Sequence, residues 1–118
     1  MQIDIHLHPD VFEIVKNGNK NVEVRLYDEK RKKIKVGDEL VFLKRPDDIE
    51  KIKVKVTDLK VYNNFEELVD NYDMKRLYLP EYTKEMFLTE LLRFYSLEEQ
   101  KKYGVVAIEF EKEKVLTL

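Results

Sequence analysis

Three side chains in one short segment have the types and spacing to do chemistry: Lys20, Glu23 and Arg25. Glu23 and Arg25 are two residues apart in an alternating stretch, so on a strand they face the same side. A bidentate pair between them would fix the guanidinium plane and leave its other donors for a phosphate or a base edge. Burial over an apolar cleft would lower the pKa of Lys20 and make it a base or nucleophile. A hydrated Lys20 would instead be a point charge for a phosphate or a carbonyl oxygen.

A basic run overlaps this segment. Residues 25–35 contain six basic and two acidic residues, a local net charge of +4, whereas the whole chain has a net charge of -2. A local positive patch of this kind suits an anionic partner, although a charge run is also typical of a solvated loop. We predict that Arg31 and Lys33 bind phosphate groups and that a base stacks on the ring of Tyr27. The nearly balanced total charge argues against binding nucleic acid through the overall field of the protein.

Hydrophobic periodicity predicts the elements that position these residues. Residues 2–8 alternate between apolar and polar types and indicate a strand. Pro9 then begins a helix that Gly18 ends, because glycine takes a positive φ without a steric penalty. Residues 20–26 form the second predicted strand. Gly18 is also a candidate binding residue, since a backbone without a Cβ lets a ligand approach closely.

A later predicted strand changes phase along its length. Ile52, Val54 and Val56 occupy even positions, but the apolar set then moves to the odd positions Leu59 and Val61. Such a slip sends side chains to the wrong face unless a bulge or bend intervenes. Barrel strands commonly bend in this way, so we predict a barrel and not a flat sheet.

The second half of the chain is mainly helical. Helices are predicted over residues 65–71 and 83–95. The spacing of Ser96 and Glu99 predicts a capping box for a further short helix that ends at Tyr103 and Gly104, before a closing strand over residues 105–110. In the helix over 83–95, the spacing assigns four side chains to the core: Met86, Phe87, Leu91 and Phe94. The length of 118 residues, without repeats or linkers, predicts a single α+β domain over residues 1–118.

The segment over residues 18–25 reads Gly-Asn-Lys-Asn-Val-Glu-Val-Arg and matches the pattern GxKxxExR at every fixed position. It resembles the ASCH family, a branch of the PUA-like superfamily, and so do the segments over 8–12, 35–38 and 103–110. The resemblance implies an α+β fold built on a small PUA-like β-barrel with flanking helices and a cleft beside the motif.

The resemblance also implies a role related to RNA. The first hypothesis is a module that binds RNA, a nucleotide or a modified nucleoside in the cleft beside the motif. The candidate contacts to this ligand are Gly18, Lys20, Glu23, Arg25, Tyr27, Arg31 and Lys33.

Two other hypotheses follow from relatives within the family. Some bacterial members resemble this chain and are amidohydrolases that remove the acetyl group from acetylcytidine, using a lysine, a threonine three residues later and a distant glutamate. Lys20 matches that lysine, Glu23 occupies the threonine position, and Glu66 and Glu67 are candidates for the glutamate. A hydrolase of acylated nucleosides or RNA would use Lys20 and Glu23 as catalytic residues, but the missing threonine favours binding. The third hypothesis is a protein-interaction module, since other ASCH domains occur in transcription coactivators.

The composition of the chain argues against several other classes of protein. The chain has no cysteine, which excludes disulfides and thiolate chemistry and fits a reducing compartment. His6 and His8 share a strand face but lack a third ligand at suitable spacing, so we expect no metal site and no cofactor, and assign them to the lining of a cleft. No apolar run approaches roughly 20 residues and no signal peptide is evident, so we expect a cytoplasmic protein without membrane contact. High charge with only three Gly and three Pro is typical of heat-stable proteins.

Overall fold

The five strands belong to one mixed sheet in the order β1-β3-β4-β5-β2, in a computed structural model that describes residues 2–116. Residues 1, 117 and 118, which the predicted range of 1–118 includes, lie outside the described residues. The strands are β1 (Gln2–Leu7), β2 (Val22–Leu26), β3 (Glu39–Lys44), β4 (Lys51–Tyr62) and β5 (Val105–Leu116). β1 and β3 run parallel, and the other neighbouring pairs are antiparallel.

Six helices connect these strands within the described part of the chain. They are α1 (Pro9–Lys16), α2 (Glu29–Lys32), α3 (Phe65–Val69), α4 (Met74–Leu77), α5 (Lys84–Leu92) and α6 (Leu97–Tyr103). The predicted capping box is present at α6, where Ser96 and Glu99 satisfy each other's backbone N–H groups. None of the helices between residues 2 and 116 is long and apolar enough to cross a bilayer.

The sheet is not closed into a barrel. β1 and β2 form its two edges, and no hydrogen-bonded ladder joins them within residues 2–116. The irregularity predicted in β4 is present as a register shift between Val56 and Asp58. A bulge bends a strand, but closure also requires the edge strands to pair. The predicted α+β class is therefore confirmed, whereas the predicted barrel is not, since both edges instead contribute side chains to a cavity.

Two apolar clusters form the core on either side of the sheet. One lies between α1 and the sheet, where the rings of Phe42 and Phe110 pack edge to face at 5.1 Å. The other lies between β2, β5 and the helices α3 to α5. Val22, Val24 and Leu26 face this second cluster. Because side chains alternate along a strand, the intervening residues of β2, Glu23 and Arg25, point towards the other face.

Candidate binding cavity

A cavity of about 290 Å³ lies where the edge strands β1 and β2 meet α1, α4 and α5. Lys20, Glu23 and Arg25 form its charged wall. Its aromatic wall consists of Tyr78, Phe87, Phe94 and Tyr95. This volume is at the lower end of the range of about 300 to 1,000 Å³ that is usual for small-molecule sites. The size suits one nucleoside-sized group better than a longer ligand.

Lys20 is only 2% exposed and is held by backbone groups. Its Nζ donates hydrogen bonds to the carbonyl oxygens of Val22 at 2.5 Å and Leu77 at 2.6 Å. Burial lowers the pKa of Lys20, and the nearby Glu23 carboxylate, 3.6 Å away, opposes this shift. The chain reverses after α1 to bring this lysine inward, with its backbone N–H donating to the Ile14 carbonyl at 3.0 Å.

Glu23 is also buried, at 4% exposure, and its two carboxylate oxygens have different surroundings. Oε1 accepts hydrogen bonds from the backbone N–H of Val24 at 2.9 Å and from Nη1 of Arg25 at 2.8 Å. Oε2 has no hydrogen-bond partner within residues 2–116. Burial acts to raise the pKa of Glu23, but the charges of Arg25 and Lys20 outweigh it and hold that pKa below its usual value. The carboxylate is therefore ionised at neutral pH.

Arg25 contacts Glu23 through a single nitrogen and not in the two-point geometry expected from sequence. Nη1 donates both to Glu23 Oε1 and to the Val24 carbonyl, each at 2.8 Å. Within the described chain, Nε and Nη2 make no hydrogen bond to protein. The pair thus orients the guanidinium while leaving donors beside the cavity.

The aromatic wall comes from α5 and the segments that flank it. Tyr78 and Phe87 stack with ring centroids 4.8 Å apart and an interplanar angle of 23°. Burial raises the pKa of Tyr78, so its hydroxyl is neutral and can donate a hydrogen bond. Phe94 lies at the cavity wall with 61% of its surface exposed. The prediction that Phe94 and Met86 are core residues is wrong, because α5 ends at Leu92 and Met86 faces solvent.

His6 and His8 line the cavity, in agreement with the sequence prediction. Nδ1 of His6 lies 3.2 Å from Oδ2 of Asp48. The described residues contain no group of three or more His, Cys, Asp or Glu side chains that could hold a metal ion.

The remaining candidate residues lie outside the cavity lining. Gly18 is exposed just after α1, with a φ of 84°. Tyr27 is half-buried against the core, Arg31 lies 3.6 Å from Asp28, and Lys33 is exposed. Apart from Arg25, which lines the cavity, the basic run therefore lies outside the cavity.

The cavity also contains residues that sequence reasoning missed. Leu77, Tyr78 and Glu90 line it, although the chain between residues 73 and 95 carries no recognisable motif. Conversely, Glu66 and Glu67, the candidates for a distant glutamate, are exposed on α3 and do not line the cavity. The aromatic residues of this region are the available signal, but the helical spacing of Phe87 and Phe94 predicts core positions for these two.

The open mixed sheet, with a polar and aromatic cavity at the gap between its edges, defines a class of small α+β domain. Within that class the sequence matches the family model for the ASCH domain over residues 5–114. The chain therefore belongs to the ASCH family.

Two solved structures are similar along almost the whole chain. The crystal structure of hypothetical protein PH0355 is 37% identical, with a TM-score of 0.84, and the match covers 96% of this chain and 100% of that one. The solution structure of protein PF0455 from Pyrococcus furiosus is 38% identical, with a TM-score of 0.75, and the match covers 97% and 99%. None of the curated proteins compared with this chain matches it.

Proposed function

We propose that this chain binds RNA by taking one nucleoside, ordinary or modified, into the cavity. The proposal rests on one observation: Oε2 of Glu23 is buried in the cavity wall and has no hydrogen-bond partner in the described chain. An unsatisfied buried acceptor costs about 1 to 3 kcal/mol. An N–H or O–H group of a bound nucleoside would supply the missing donor.

The other walls supply the complementary contacts. Nε and Nη2 of Arg25 are available for a phosphate or for a base acceptor, and Glu23 holds the guanidinium in place. The rings of Tyr78, Phe87 and Phe94 offer flat apolar faces to a base. Stacking of a base on an aromatic side chain contributes about 1 to 3 kcal/mol.

We infer that Gly18, Tyr27, Arg31 and Lys33 contact RNA only outside the cavity, where the two basic side chains suit the phosphate backbone and the ring of Tyr27 suits a stacked base. We favour binding over hydrolysis, because the ammonium of Lys20 directs its protons to two carbonyls and to Glu23. A nucleophilic lysine needs a free lone pair directed at the substrate. Two other functions, the hydrolysis of acylated nucleosides or RNA and the binding of a protein partner, stay predictions.

Thermal-shift titration with ribonucleosides, modified nucleosides and nucleoside monophosphates tests the cavity. Glu23→Gln replaces one carboxylate oxygen by an NH2 group and removes the negative charge. Arg25→Lys keeps the positive charge but loses the planar set of donors. We expect both variants to lose the ligand-induced rise in Tm, whereas the control Arg45→Lys, in an exposed turn, retains it. A folded Glu23→Gln or Arg25→Lys variant with the wild-type response would overturn the proposal.

A further inference from the structure

A second groove, of about 600 Å³, lies between the C-terminal end of β4 and helix α6. It shares no lining residue with the cavity. Six of the residues that line it are Tyr62, Asn63, Gln100, Lys101, Lys102 and Tyr103. No Asp or Glu is among the residues that line this groove, although the chain contains 24 acidic residues. The lining is therefore positive in a protein with a net charge of -2.

The lysines of the groove are available to an anion. Lys101 and Lys102 are exposed and make no ion pair within residues 2–116. Nζ of Lys102 lies 5.1 Å from the ring centroid of Tyr103, which keeps the ammonium beside an aromatic face. Glu67, which is not part of the lining, accepts a hydrogen bond on its carboxylate from the side chain of Asn63 at 3.2 Å.

The backbone at Gly104 allows α6 to end against β4. Gly104 has a φ of 71°, and a Cβ there would lie 3.2 Å from the carbonyl oxygen of Tyr62. A residue with a side chain would push the two segments apart, because the nearest atom belongs to backbone. The close approach of these two segments at one end of the groove therefore depends on glycine at this position.

One buried side chain connects the groove to the cavity. Gln100 is 3% exposed, and its Oε1 accepts a hydrogen bond from the backbone N–H of Phe65 at 2.9 Å. Its Nε2 donates to the carbonyl oxygen of Tyr95 at 3.4 Å, and Tyr95 lines the cavity. Gln100 thus belongs to the groove and contacts a residue of the cavity.

We propose that this groove is a second subsite, which binds the phosphate backbone of the single-stranded RNA whose nucleoside occupies the cavity. The inference rests on the proposed function. Two unpaired ammonium groups attract phosphate, and the absence of carboxylates from the lining reduces the repulsion that an anion would meet. Tyr62 and Tyr103 add faces on which bases stack, as in other sites for single-stranded nucleic acid.

The test measures the affinity of a fluorescent single-stranded RNA oligomer by anisotropy over a series of salt concentrations. The slope of log K against log salt is negative, and each lost phosphate contact reduces its magnitude by about 0.7 for a single strand. The double variant Lys101→Gln/Lys102→Gln should therefore reduce the magnitude by about 1.4. The control Lys51→Gln/Lys55→Gln changes the net charge equally, at exposed positions near the other end of β4. We expect the control to keep the wild-type slope.

Equal slopes for the two double variants would overturn the second subsite, and so would an oligomer that does not bind the wild-type protein. Nucleoside binding, followed by thermal shift, decides the cavity separately. Nucleosides that bind normally to Lys101→Gln/Lys102→Gln, together with a reduced slope, support the subsite. If nucleosides do not bind the wild-type protein, the cavity proposal is overturned. The proposal that one single strand spans both sites is then overturned as well.

Discussion

The ammonium of Lys20 donates a hydrogen bond of 2.6 Å to the carbonyl oxygen of Leu77, which lies 57 residues further along the chain. Leu77 is the last residue of α4, and the final carbonyls of a helix have no partner within it. A cation at this end of a helix is favourable both as a donor and as a charge. The contact therefore holds α4 against the start of β2 and fixes one side of the cavity.

We expect Lys20→Met to destabilise the fold strongly. Methionine is of similar length and apolar, but it leaves Glu23 without one of its two cations and the carbonyls of Val22 and Leu77 without their donor. Removing one partner from a buried charged cluster costs about 3 to 5 kcal/mol. Urea unfolding measures the loss, with the exposed Lys55→Met as a control. A loss no larger than that of the control would contradict a structural role for the lysine.

The pH dependence of stability should reveal the ionised state of Glu23. Its pKa in the folded chain is below the ordinary value of 4.5, so its stabilising contribution is present above that value. The contribution is lost as the pH falls from about 4.5 through the lower folded pKa. Glu23→Gln has no charge to lose, so the wild type should lose more free energy of unfolding than this variant over that range. Parallel acid profiles for the two proteins would be the contrary result.

The local features of the fold were the ones that sequence predicted well. Alternating residues predicted β1 and β2, the phase change predicted the irregularity after Val56, and the spacing of Ser96 and Glu99 predicted the capping box. Each of these signals involves residues within a few positions of one another. Such patterns depend on backbone geometry and therefore survive in the folded chain.

The features that were missed depend on contacts between distant parts of the chain. Nothing near Leu77 indicates that its carbonyl receives a lysine from a segment 57 residues earlier. Phe94 fitted a helical spacing, but α5 ends two residues before it, and the side chain reaches the cavity wall. The barrel was inferred from the bend in β4, whereas closure depends on whether the edges β1 and β2 pair.

Alanine should cost more stability at Gly104 than at the two other glycines with a positive φ, Gly18 and Gly37. Gly18 and Gly37 both have a positive φ, and a Cβ at either position meets no atom within 4 Å. We expect each Gly→Ala variant to lose about 1 to 2 kcal/mol, which is the cost of this backbone region for a residue with a Cβ. Gly104→Ala should lose more, because its φ of 71° and ψ of -177° lie in a region that is essentially restricted to glycine, and its Cβ would also lie 3.2 Å from the Tyr62 carbonyl oxygen. Three equal losses from urea unfolding would refute the larger cost expected at Gly104.

Phe94→Ala should weaken nucleoside binding with little effect on stability. The ring is 61% exposed while it lines the cavity, so the folded chain gains little from it, and a bound base would gain a stacking face. The expected weakening is at least about 5-fold, which corresponds to the lower limit of about 1 kcal/mol for one stacking contact. Ile49→Ala, at an exposed position outside the cavity, is the matched control and should bind as the wild type does. Isothermal titration gives the affinity and urea unfolding the stability. Wild-type affinity in a folded Phe94→Ala variant would show that the exposed ring serves something other than the nucleoside.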